Sequence, residues 1–150
     1  MKFNRYLEKL GLTEDDMPGH YNPKCKDDSK AASDPRNEED AEGFCTYEFF
    51  SLDYTLSLYI YSRLCYFREH IAIMATPGCL LPIKDWNLSA EERQERSNAA
   101  HSKWLSIIDK MIEAFRIQIE GYREGYEGID REKVREGMQL FIEYYGSLWY

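Results

Sequence analysis

Long apolar runs are missing from this sequence. Its most apolar stretch, Phe49 to Ile83, is interrupted by Asp53, Arg63, Arg68, Glu69, Pro77 and Pro82, and it never reaches the ~18 consecutive apolar residues of a membrane-spanning helix. It reads as core. Met1 to Leu10 is charged and amphipathic, with no apolar signal-peptide core behind it, which predicts a cytoplasmic protein. Cysteine is scarce and scattered: Cys25, Cys45, Cys65 and Cys79 form no C-x-x-C pair, so neither a zinc ribbon nor a dithiol redox motif is present. In a reducing compartment these are expected to be free thiols. His20, Cys25 and Cys45 can be drawn as a metal cluster, but polar linkers separate them and the spacing is not that of structural zinc.

Basic charge is also in deficit. Lys and Arg number 19 against 27 Asp and Glu, a net charge of −8, which argues against generic attraction to nucleic acid or to anionic membranes and towards a basic partner. The imbalance is uneven, with 7 basic and 12 acidic side chains in the first fifty residues. Catalytic signatures are lacking as well. His20, His70 and His101 lie in separate segments, no G-x-S-x-G accompanies any serine, and the glycines form neither a P-loop nor a G-x-G-x-x-G turn. No cofactor is expected.

Aromatic residues, by contrast, are abundant: 12 Tyr, 7 Phe and 3 Trp in 150 residues, a chain length of about one domain. Phe3, Tyr6, Leu7 and Leu10 recur at helical spacing and predict a short helix that Gly11 can end. Residues 18–43 are rich in turn formers and charges and are read as a polar, acidic loop. After a short extended entry at Phe44 to Phe50, Ser51 is a candidate N-cap for a helix from Leu52 to about Met74. Leu52, Leu56, Tyr59, Ile60, Leu64, Phe67 and Ile71 mark one face and Leu58, Tyr61 and Cys65 another, which predicts a central helix covered on most sides.

Thr76-Pro77-Gly78 closes that helix, and Leu80 to Ile83 with Trp86 reads as an apolar connector lying on the core. Ser89, three residues before Glu92, is a capping box opening a long amphipathic helix whose stripe is Trp104, Ile108, Met111, Phe115, Ile119 and Tyr122, widened by Ile107 and Ile112. Gly121, Gly125 and Gly128 break the periodicity, and Asp130 can cap a last helix carrying Val134, Met138, Phe141, Ile142, Tyr145, Leu148 and Trp149. Leu148 and Trp149 are expected to be buried. The fold class is therefore all-α: one domain, an irregular helical bundle of three long helices plus a short N-terminal helix.

Three sets of residues suggest chemistry. Glu38, Glu39, Asp40 and Glu42 can present phosphate-like charge to a basic cleft on another protein. Tyr54, Tyr59, Tyr61 and Tyr66 can stack on a nucleobase if they line one pocket, although core packing accounts for them more cheaply. Glu91, Glu92 and Glu95, followed by Glu127 and Asp130, carry carboxylates at three- and four-residue spacing, as a magnesium site on helices requires. That last set resembles the E-E-x-x-E and E-x-x-D pattern of the all-helical nucleotide pyrophosphatases of the MazG type, and the resemblance implies those five carboxylates as ligands of a hydrolytic magnesium. The first-turn acids are expected in any case as complements of the helix dipole.

F-F-S-L-D-Y-T-L-S-L-Y-I-Y-S-R-L-C-Y-F-R-E from Phe49, T-P-G-C-L-L-P from Thr76, W-L-S-I-I-D-K-M-I-E-A-F from Trp104 and G-M-Q-L-F-I-E-Y-Y-G-S-L-W from Gly137 resemble a set of small uncharacterised proteins encoded by bacteriophages and prophages. The resemblance spans about residues 49–150, and its motifs are those of packing. It implies an accessory protein, not an enzyme, that binds a host protein with a basic surface and blocks or redirects it, as an anti-defence inhibitor does by acidic mimicry. A sponge for a signalling nucleotide and a magnesium-dependent hydrolase are the alternatives, and a homo-oligomer is left open.

Overall fold

The computed structural model describes residues 3–17, 52–81 and 87–148. Helices and short 3-10 turns are the only regular structure among them, so the fold is all-α. It has a short helix α1 (Arg5–Glu8) and three long ones, α2 (Leu52–His70), α3 (Ala90–Glu124) and α4 (Arg131–Tyr144). No described helix is long and apolar enough to cross a membrane. The chain divides into two compact units, residues 1–62 and 63–150, with the boundary inside α2. The acidic segment Glu38, Glu39, Asp40 and Glu42 lies outside the described residues, as do His20, Cys25, Cys45, the expected entry at Phe44 to Phe50, the Ser51 cap, Trp86 and Trp149.

In the first unit the Asn4 side chain accepts the Tyr6 N–H at 3.1 Å and caps α1, meeting a donor the helix cannot pair internally. Tyr6 and Leu7 on that turn are buried. Gly11, at φ 70°, then reverses the chain as expected. Thr13 and Asp16 close a reciprocal box around the next 3-10 turn, with Thr13 N–H donating to Asp16 Oδ2 at 2.7 Å. Leu12 and Met17 on either side of that turn are buried.

The second unit is organised around α3, which is ~52 Å long at 1.5 Å per residue. Its start is the capping box read in the sequence: Ser89 Oγ accepts the Glu92 N–H at 3.1 Å, and Glu92 returns a carboxylate to the Ser89 N–H at 2.8 Å. The helix runs through Gly121 and ends only at Gly125, whose φ of 97° suits a residue without Cβ. Trp104, Ile108, Met111 and Ile119 are fully buried along its stripe, each stabilising the fold by roughly 1.5–3 kcal/mol relative to exposure. Tyr122, at the end of the expected stripe, is exposed instead.

Helix α4 begins at Asp130, whose side chain accepts the Lys133 N–H at 3.1 Å. It folds back antiparallel on α3. The pairing is seen in the edge-on contact of Phe115 with Phe141 (5.3 Å between ring centres), in Trp104 against Tyr144 (5.9 Å), and in the Lys110–Glu136 ion pair at 2.6 Å. The two helices approach closely at Gly137, where an added methyl would overlap the Ala114 Cβ and the Lys110 carbonyl oxygen. Leu148, beyond this hairpin, is only half-buried.

The last turns of α2 and the segment after it also rest on α3. Phe67 meets Trp104 edge-on at 6.4 Å, and Arg68 makes a two-pronged bond to Asp109 at 2.8 and 3.2 Å. Thr76 Oγ1 lies 2.8 Å from His101 Nδ1.

Candidate functional site

Helix α2 differs from the sequence reading in the face it hides. Leu52, Leu56 and Tyr59, expected on a covered face, are exposed, while Tyr54, Ser57, Leu58, Tyr61, Ser62 and Leu64 are buried. Two serines make this possible. Ser57 Oγ donates to the Asp53 carbonyl at 2.7 Å and Ser62 Oγ to the Leu58 carbonyl at 3.1 Å, so each hydroxyl enters the interior already satisfied.

The outward face carries Leu52, Leu56, Tyr59 and Tyr66 at steps of four, three and seven residues, a row ~21 Å long on one side of the helix. Ile73 and Met74, in the turn that follows, are exposed too. Arg63 continues the same four-three stepping and is exposed. The Tyr66 ring lies 4.4 Å from that of His70, whose Nε2 is 3.7 Å from Glu69 Oε2. A signal for this face was available in the sequence: a charged Arg63 between Tyr59 and Tyr66 marks a side turned to water.

The four tyrosines considered for base stacking are divided between these faces. Tyr54 and Tyr61 are 9% and 7% exposed, Tyr59 and Tyr66 47% and 55%. At 3.6 residues per turn the two pairs point roughly 140° apart, so they line no common pocket.

The five carboxylates considered for magnesium are not brought together either. Glu91, Glu92 and Glu95 stand in the first turns of α3, whereas Glu127 and Asp130 follow its far end. From Glu92 to Glu124 alone the helix rises ~48 Å. Two of the five are already engaged. The Ser89 backbone N–H, then its hydroxyl, hold the Glu92 carboxyl below its ordinary range, and the Lys133 backbone N–H does the same for Asp130. No group of three His, Cys, Asp or Glu among the described residues has the geometry to hold a metal ion.

What gathers at the far end of α3 is a charged, open cleft of about 390 Å³, bordered by Glu113, Arg116, Glu120, Glu124, Glu127, Asp130 and Lys133. Its inner wall is a clamp that the sequence reading did not single out, although three- and four-residue spacing on one helix announces it. The Arg116 guanidinium donates twice to Glu113, both at 2.8 Å, and once to Glu120. That pairing holds the Glu113 carboxyl below its usual range and pushes Arg116 further up, the hydrogen bonds donated to Glu113 outweighing partial burial. Lys133 Nζ lies 3.5 Å from Asp130. The cleft's two cations are thus both engaged by neighbouring carboxylates, and Glu124 and Glu127 border it as exposed acids.

Cys79 is an exposed free thiol. Cys79 Sγ lies 3.9 Å from Ser147 Oγ, and the Thr76 hydroxyl lies 2.8 Å from His101 Nδ1. Searched for relatives, the chain matches no protein-family model, no curated protein and no solved structure.

Proposed function

We propose that this chain is a binding protein, not an enzyme, and that it is an accessory factor of the phage-encoded kind its motifs resemble. It holds a host protein through the outward row of α2, and the acidic segment Glu38, Glu39, Asp40 and Glu42 draws in a partner with a basic surface. The observation carrying this reading is the exposure of Leu52, Leu56, Tyr59 and Tyr66 along one side of α2. Burying the exposed half of each such side chain against a partner is worth roughly 0.8–1.5 kcal/mol, and aligned apolar surface of this kind marks interaction sites. Anchors stepping by three and four residues are also how a helix face engages a groove. The charge of −8 adds steering towards a cationic surface.

The test is capture from a bacterial lysate by the tagged full chain, run beside two variants. One carries Leu56→Gln, Tyr59→Gln and Tyr66→Gln; the other carries Glu38→Gln, Glu39→Gln, Asp40→Asn and Glu42→Gln. The first variant should melt at an unchanged temperature yet lose the captured protein. The second should associate more slowly and with a flatter dependence on salt. Equal capture by all three chains would overturn the proposal. A small molecule released intact on denaturation would favour a nucleotide sponge instead, and a hydrolysed nucleotide a magnesium enzyme.

A further inference from the structure

We draw no further inference here: the strongest candidate, the outward apolar row of α2 as a pairing face for a second copy of the chain, belongs to the surface already described, and nothing in the structure shows what covers it.

Discussion

Replacing Gly137 by alanine sets two known effects against each other at one position. In a helix interior alanine is favoured over glycine by about 1 kcal/mol, so an unobstructed site would gain stability. At Gly137 the new methyl would meet the Ala114 Cβ and the Lys110 carbonyl oxygen, and the latter is backbone of α3 that cannot swing aside. Overpacking of this sort costs about 2–3 kcal/mol when helices must move apart. The packing effect wins, leaving Gly137→Ala less stable by about 1–2 kcal/mol, a fall in melting temperature of about 3–6 °C for a chain of this length. Gly146→Ala is the control: it has open space around its Cα and should stay within about 0.5 kcal/mol of the parent. Urea unfolding followed by circular dichroism reads both. The expected signature is a lower midpoint at unchanged slope for Gly137→Ala alone. A variant as stable as the parent, or more so, would refute the close approach of α3 and α4.

Ser89→Ala removes the α3 N-cap and should destabilise by about 1 kcal/mol, measured by the same urea titration. Because the folded Glu92 carboxyl sits below its unfolded value, its contribution is present above about pH 4.5 and lost as pH falls through the folded pKa. The acid limb of stability against pH should therefore flatten in Ser89→Ala, and an unchanged limb would contradict the cap. Arg116→Met should cost less than about 1 kcal/mol, since the Arg116 clamp is partly exposed to solvent. It should raise the Glu113 carboxyl towards its ordinary range in an NMR pH titration; no movement would mean that Arg116 does not hold it.

Local signals were legible in the sequence because they act over a few residues. Ser89 with Glu92, Asp130 as a cap and the Trp104, Ile108, Met111, Phe115, Ile119 stripe all depend on neighbours within one or two turns. Gly121 was read as a break because its tertiary surroundings are invisible locally. In the fold it stays helical while the Tyr126 ring and Ile129 pack against its bare Cα. The orientation of α2 was missed for a different reason: apolar residues surround it, so periodicity cannot choose a face and Arg63 alone marks the wet one, while the buried side is where Ser57 and Ser62 bond back to the helix. The carboxylate pattern misled because motif spacing says nothing of the unbroken helix between Glu95 and Glu127. That helix carries the two halves of the motif to opposite ends of the hairpin.

The functional reading depends most on which side of α2 faces water, and mild nitration of the folded chain with tetranitromethane, mapped by peptide mass spectrometry, tests it directly. Tyr59 and Tyr66 should be modified readily, and Tyr54 and Tyr61 only once the protein is unfolded. Nitration of Tyr54 and Tyr61 in the folded protein, with Tyr59 and Tyr66 protected, would contradict the outward row and remove the surface on which binding is proposed.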